Sequence, residues 1–308
     1  MIGSDDLRFF DVLTRAPSLV AAARLLNVTA PAVTQRLRAL EQRLGAVLFD
    51  RTTRQLALTD DGALLADHAT RIVADLDAAM EALRERRDMV AGPLRVAAPL
   101  GFGRRHVAPL ISSFKAKYPL VQFTLQLLEN PLRVTEDSWD VIVHIGTLSR
   151  LGLQMATLAP NRRLLCAAPS YLSERGWPTC PSDLLGHDCI VLRENDEDVT
   201  QWSLTRLQGR SENVRVHAAL SCNDGEVAVE WALAGRGVLL RSEWDVSAHV
   251  AAGALCRILP EWQAEVAPVV ALLGPRRVRT RRVRTFVDWL KRNLDPAPWA
   301  SAADTIIG

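Results

Sequence analysis

The chain has 308 residues, more than one average domain holds and enough for two or three. With 48% hydrophobic and 23% charged residues it has the make-up of an ordinary soluble globular protein, and no run of about 18 apolar residues offers a membrane span. A net charge of +2 argues neither for nor against nucleic acid, so any basic binding surface must be local.

The opening MIGSDDLRFF carries acids ahead of its apolar residues, unlike a signal peptide, so the expected compartment is the cytoplasm. In residues 7–15 (LRFFDVLTR), Leu7, Phe10, Val12 and Leu13 lie near one helical stripe. PSLVAAARLLN follows. Ser18 is a natural N-cap there, and Ala21, Ala22 and Ala23 are small enough for a neighbouring helix to approach. Asn27 and Val28 form a turn, and Thr29 caps the next helix. Pro31 is tolerated because it lies in the first turn.

In that helix Val33, Leu37, Leu40 and Leu44 follow the 3, 4, 4 steps of a buried stripe. Gln35, Arg36, Arg38 and Gln42 lie largely off it, and Gly45 ends the helix. Two short helices joined by a tight turn, the second polar and basic outside, make a helix-turn-helix pattern. AVLFDRTTRQLALT then reads as a hairpin, its tip a wing carrying Arg51 and Arg54.

Thr59 caps a long helix whose first turn holds Asp60 and Asp61, as the helix dipole favours. The spacing extends it to about Val90. Leu65, Ile72 and Ala79 repeat every seven residues, and Ala69, Leu76, Leu83 and Val90 repeat at the complementary offset, a coiled-coil seam. Gly92 and Pro93 break the helix and mark a domain boundary.

Beyond that boundary strands alternate with helices. LRVAAPL, VQFTLQLLE, DVIVHIG, RRLLCAAP, RGVLLRS and VAPVVALLG read as strands. GRRHVAPLISSFKAKYP, the stretch around SYLSERG, GEVAVEWALAG and RTRRVRTFVDWLKRNL read as helices. Such alternation implies parallel α/β sheets. The ending DPAPWASAADTIIG reads as a frayed tail.

The five cysteines form no C-x-x-C pair and have no histidine at zinc-ligand spacing, so no metal or cofactor is expected. Two readings stand for them: buried structural thiols, or a redox pair of Cys180 and Cys189. An enzyme would need a nucleophile with a base, a metal cluster or a cofactor loop, and the chain has no G-x-S-x-G, H-E-x-x-H or Walker loop.

The ordered stretch LRFFDVLTRAPSLVAAARLLNVTAPAVTQRLRALEQRLGAVLFDRTTRQLALTDDG resembles the DNA-binding domain of LysR-type transcriptional regulators. The likeness continues through APNRRLLCAAPSYL, HDCIVLREND and SCNDGEVAVEWALAGRGVLLRSEWDV to the basic last helix, covering all but the tail. It implies an α+β multi-domain protein. A winged helix-turn-helix (1–59) leads through a dimerisation helix (60–91) to an α/β effector domain of two Rossmann-like lobes, as in periplasmic binding proteins. Lobe I would be 92–160 with 267–295, lobe II 161–266, and 296–308 a flexible tail. The chain would cross between lobes near Pro160 and Val266.

The resemblance also implies promoter DNA and a small-molecule effector as partners, a homodimer or homotetramer, and RNA polymerase if the protein activates. A regulator without any ligand is a further reading. The DNA-binding candidates are Ser18, Thr29, Ala30, Pro31, Thr34, Gln35, Arg38, Arg51 and Arg54. Ala30 departs from the polar residue, often Gln, that the family usually has there, which shifts specificity toward Thr34, Gln35 and Arg38. The two wing arginines are suited to phosphate or a minor groove.

The effector candidates are Pro99, Leu100, Gly101, Phe102, His144, Gly146, Thr147, Asn195, Asn223 and Asp224. PLGFGRR and SCNDGE read as helix N-termini aimed at the cleft, with Asn223 as the second N-cap. Free N–H groups there favour an anion, so a carboxylate-bearing effector is expected. Ala98, Pro99 and Leu100 stand where the family often has Ser or Thr, leaving that site to backbone N–H groups. His144 is read either as a structural residue or as a ligand contact.

Overall fold

The computed structural model describes residues 2–50, 56–86, 89–133, 139–146, 154–193, 199–206, 209, 211–273 and 280–300. The chain divides into two compact units, Met1–Met89 and Val90–Gly308. No helix among the described residues is long and apolar enough to cross a membrane.

The first unit holds α1 (Ser4–Arg15), α2 (Leu19–Leu26), α3 (Ala30–Leu44), the strands β1 (Phe49–Asp50) and β2 (Ala57–Leu58), and α4 (Asp60–Arg86). Local chemistry sets the boundaries. Ser18 Oγ accepts from the Ala21 N–H at 3.1 Å, capping α2. Asn27 closes α2 in the left-handed conformation, φ 54°. Ala22 and Ala23 are buried, which lets α3 approach. The α3 stripe of Val33, Leu37 and Leu40 joins Phe9, Phe10, Leu13, Leu48 and Phe49 in one core.

Glu41, unforeseen on that buried face, accepts from the Leu48 N–H at 2.9 Å and fixes the turn into β1. β1 and β2 pair antiparallel, Phe49 opposite Leu58. The expected wing tip, with Arg51 and Arg54, lies outside the described residues. Thr59 Oγ1 accepts from the Gly62 N–H at 3.0 Å and so caps α4 as expected.

Two features of α4 correct the sequence reading. The helix is described over Asp60–Arg86, residues 87–88 lie outside the described residues, and Val90 is non-helical and packs instead against the core of the second unit. The seam is also divided. Ala69 is fully buried and Leu65 partly so, both against the core of their own unit, whereas Ile72, Leu76 and Leu83 stay exposed. A heptad pattern records which residues are apolar, not which neighbour covers them.

In the second unit β3 (Gly92–Pro99) leads directly into α5 (Leu100–Phe102), a π-helical turn over Gly103–Val107 and α6 (Ala108–Lys117). Then come β4 (Val121–Leu128), β5 (Val141–Ile145), β6 (Gln154–Ala159), β7 (Arg163–Ala167), α7 (Pro169–Arg175), β8 (Asp188–Leu192), β9 (Gln201–Arg206), β10 (Ser211–Arg215) and β11 (His217–Cys222). The chain finishes with α8 (Gly225–Leu233), β12 (Val238–Ser242), α9 (Glu243–Ala251), β13 (Cys256–Arg257), β14 (Trp262–Ala264), β15 (Val269–Leu273) and α10 (Arg281–Leu294).

Two five-stranded sheets result, ordered β4-β3-β5-β15-β6 and β11-β8-β12-β7-β13, with a small sheet β10-β9-β14 beside them. The large sheets are mixed rather than purely parallel. β3 pairs parallel with β4 and β5, but β15 runs antiparallel to both β5 and β6. In the second sheet β12 is parallel to β8 and antiparallel to β7. Antiparallel strands border two crossings of the chain, from the first large sheet to the second at 160–162 and from the small sheet back to the first at 265–268. At that junction Asn161 Nδ2 donates to Ala267 O at 2.8 Å and lies 3.4 Å from Ser242 Oγ.

The expected tail is corrected as well. Ala297 and Trp299 are buried in the core that Phe102, Phe114, Phe286 and Leu290 build around the first sheet. Apolar rings leave water where they find a surface to cover, and Trp299 finds one on Phe102, with ring centroids 5.9 Å apart. Residues 301–308 lie outside the described residues.

Candidate functional site

Helix α3 sorts its polar residues by face. Arg36 turns back to α1, where its Nη2 donates to Asp5 O at 2.9 Å and its guanidinium lies 4.4 Å from the centre of the Phe9 ring. Arg43 binds both oxygens of Asp6, at 2.8 and 2.9 Å, which holds that carboxyl below its ordinary range. Both arginines are thereby committed to holding α3 on α1.

Gln35 and Arg38 are exposed, and neither has a hydrogen-bond partner among the described residues. Thr34 is half-buried and donates its hydroxyl to Ala30 O at 3.0 Å, so that hydrogen serves the helix itself. Thr29 stands extended before α3 but makes no side-chain cap, contrary to expectation. Pro31 is exposed. Ala30 is half-buried against the core, and Ser18 spends its Oγ lone pair on the α2 cap.

The second unit contains a cleft of about 330 Å³. Pro99, Leu100, Gly101, Phe102, His144, Asn223 and Asp224 line it, so seven of the effector candidates converge. Gly146 does not join them. Its N–H donates to Pro268 O at 2.9 Å and its φ of 118° serves the turn after β5. Thr147 and Asn195 lie outside the described residues.

The two expected helix ends differ. Asp224, not Asn223, caps α8: its Oδ1 accepts from the N–H groups of Glu226 at 2.9 Å and Val227 at 3.1 Å. The carboxylate of the chain thus fills the place an anion would take. Asn223 donates instead to Glu129. The turn at Leu100 has no side-chain cap, because Pro99 precedes it. Its N–H groups remain the open end.

Several cleft residues escaped the sequence reading. Arg163 opens β7, is exposed in the cleft and has no carboxylate partner among the described residues. Burial first and the Arg163 charge second push His144 down to about 4, so the imidazole is neutral at physiological pH. Arg241 donates to Asp245 Oδ2 at 2.7 Å, and Arg105 reaches Oδ1 of the same buried carboxylate at 3.0 Å. Trp202 and Trp244 supply aromatic wall. Arg163 and Arg241 sit in segments that read only as strands, and periodicity carries no sign of which strand end meets a cleft.

The thiol reading finds no support in the geometry. Cys189 is buried on β8 and burial raises its thiol to about 12, while Cys180 sits part-exposed beside Ser182 Oγ at 3.0 Å. A thiol held protonated is a poor nucleophile.

The chain is similar to known proteins along most of its length. Residues 4–63 match the model of the bacterial regulatory helix-turn-helix protein, lysR family, and residues 87–295 match that of the LysR substrate binding domain. The HTH-type transcriptional regulator DmlR of Escherichia coli K12 is 33% identical over 288 residues, covering 94% of this chain and 93% of that protein. The HTH-type transcriptional activator TtdR of Escherichia coli UTI89 is 33% identical over 285 residues, covering 92% and 91%. Among solved structures, the LysR-type regulator CrgA of Neisseria meningitidis is similar with a TM-score of 0.60 at 27% identity, covering 96% of this chain and 99% of that one. The Vibrio cholerae virulence activator AphB shares the fold at a TM-score of 0.65 and 23% identity, covering 94% and 98%.

Proposed function

The chain belongs to the LysR family of bacterial transcriptional regulators, and on that premise we propose that Gln35 and Arg38 read operator bases while a carboxylate-bearing small molecule in the cleft sets the response. The protein is a DNA-binding regulator with an effector-binding domain, from a family of regulators rather than enzymes.

The observation that carries the reading role is the division of labour on α3. Arg36 and Arg43 are spent on α1, which leaves Gln35 and Arg38 exposed with free hydrogen-bonding groups. Gln pairs bidentately with adenine, and Arg with guanine or phosphate. Ser18, Thr29, Pro31 and Thr34 are the flanking contacts in this reading, Ala30 offers at most an apolar contact, and Arg51 and Arg54 grip the backbone. Exposed Leu64, Ile72, Leu76, Met80 and Leu83 on α4 support assembly as a homodimer, or as a homotetramer. Two reading helices then address half-sites about 34–36 Å apart or a multiple of that. RNA polymerase is the further partner if the protein activates, and the cytoplasm is its place of action.

The carboxylate reading rests on Arg163, a cation in the cleft without a carboxylate partner among the described residues, and on the uncapped turn at Leu100. Calorimetry against a panel of organic acids tests it: binding by at least one carboxylate, weakened by Arg163→Ala, is the expected result. Binding of a neutral compound with no carboxylate bound at all would refute it. For DNA, Gln35→Ala should weaken binding unevenly across operator variants. Equal loss on every variant would sink the base-reading role.

A further inference from the structure

Three side-chain polar atoms among the described residues are buried without a hydrogen-bond partner: His106 Nε2, Trp244 Nε1 and Trp299 Nε1. All three belong to one aromatic cluster. The His106 ring lies 5.0 Å from Trp299 and 5.7 Å from Trp244, centroid to centroid. Phe102 touches each of them, at 4.8 Å from His106, 5.3 Å from Trp244 and 5.9 Å from Trp299.

The rings arrive from three stretches of chain: the π-helical turn, α9, and the segment after α10. A folded chain leaves few such groups unpaired, and scattered packing faults have no reason to gather in one cluster. An indole N–H can only donate, so both tryptophans need an oxygen lone pair that no described residue supplies. His106, held neutral by burial, which pushes it down to about 4, can present an N–H at the same atom in one tautomer.

Two members of the cluster, Phe102 and Trp244, also line the cleft, and His106 and Trp299 pack behind them. The guanidiniums of Arg105 and Arg241 lie 5.7 and 5.6 Å from the Trp244 ring centre and share the single carboxylate of Asp245.

We propose that the ring nitrogens of His106, Trp244 and Trp299 form an inner subsite behind Phe102 that takes one carboxylate oxygen of the bound effector. This rests on the reading that a carboxylate-bearing compound enters the cleft. It adds that the segment carrying Trp299 contributes to ligand binding. A resident water offers the same lone pair, so the test separates the two sources.

The experiment uses the full chain with ¹⁵N-labelled indoles. Trp244→Phe and Trp299→Phe assign the two signals; each removes the unpartnered N–H together with part of a buried ring, so circular dichroism and a thermal melt of each variant check that the fold is kept. A panel of mono- and dicarboxylates, including acetate, succinate and benzoate as sodium salts, is titrated with calorimetry in parallel. Both indole N–H signals should move downfield with the compound that binds. Trp299→Phe should weaken that compound about tenfold, one hydrogen bond's worth. Unmoved signals alongside calorimetric binding overturn the subsite and leave the carboxylate reading standing. Signals already downfield before titration, and static during it, assign the site to water and overturn the ligand role. No binding by any acid removes both.

Discussion

Arg241 lies so close to the backbone of Gly225 that a β-carbon added to the glycine would stand 1.7 Å from Arg241 Nη2. The guanidinium cannot simply swing aside, since its Nε is tied to Asp245 and its side chain is nearly buried. Glycine at the start of α8 is therefore a condition for the cation's position in the cleft. Gly225→Ala should break the Arg241–Asp245 bond while leaving Arg105 on the same carboxylate. A partly unsatisfied buried carboxylate costs about 1–3 kcal/mol. The expected outcome is a lower melting temperature for the second unit and weaker ligand binding by calorimetry.

Glu41 offers a sharper test of the first unit. Its carboxylate is the acceptor for the Leu48 N–H. Glu41→Ala strands that donor and should destabilise the unit by about 1–3 kcal/mol. Glu41→Gln keeps an acceptor and should retain most of the stability. Urea unfolding followed by circular dichroism measures both.

Neighbouring residues on α3 should separate in phenotype. Arg36→Ala loses the stacking on Phe9 and the bond to Asp5, a cost of about 0.5–1 kcal/mol. It should leave the ranking of operator variants unchanged. Gln35→Ala should barely alter stability and should reorder the variants. Band-shift titrations on a set of single-base operator changes, beside thermal melts, check the pair.

Acid should weaken the second unit through its histidines. His106 and His144 stand at about 4 when folded against 6.5 for an ordinary histidine, both chiefly through burial. Between those values the unfolded chain takes up protons that the folded chain refuses. Stability is then full above 6.5, falls as pH drops toward 4, and levels below it. The lowered carboxyls of Asp6 and Asp183 act only below their ordinary 3.8, outside that window. Melting temperatures from pH 8 to pH 4.5 should trace the decline, and His106→Phe should flatten part of it.

Thiol labelling should discriminate the cysteines. Burial raises the thiols of Cys166 and Cys189 to about 12, so native protein at pH 8 should not alkylate there. Cys180, part-exposed, should react first. Mass spectrometry of iodoacetamide-treated native and unfolded samples reads the difference; rapid native labelling of Cys189 would contradict the burial.

The helices of the first unit were legible because their boundaries are local. Ser18, Asn27 and Gly45 cap or close them with groups a few residues away, and the α3 stripe follows from spacing alone. Partnership was less legible. Ala69 and Ile72 look alike in a seven-residue repeat, yet one packs at home and the other is exposed. Of two adjacent capping residues, the chain uses Asp224 and sends Asn223 to Glu129, a partner just past β4 and far upstream in sequence.

In the cleft, sequence reached the backbone turn at Pro99–Phe102 and the end of β5. It missed Arg163, Arg241, Trp202 and Trp244, because their placement depends on how two sheets meet. Trp299 was misread for the same reason: among small and polar residues it looked like tail, and only the fold brings Phe102 beneath it. The short strands β9, β10 and β14 carry alternating polar residues that also suit loops, so their pairing had no strong local signal.

The Asn161 amide bonds its crossover segment to the one that returns at Ala267. Two separate strands could each twist at their own rate and leave the sheets wobbling about several axes. Here the Asn161 amide and the Ala267 N–H, which donates back to Asn161 O at 3.2 Å, tie the two passages to each other. A strain placed on either passage is therefore shared with the other.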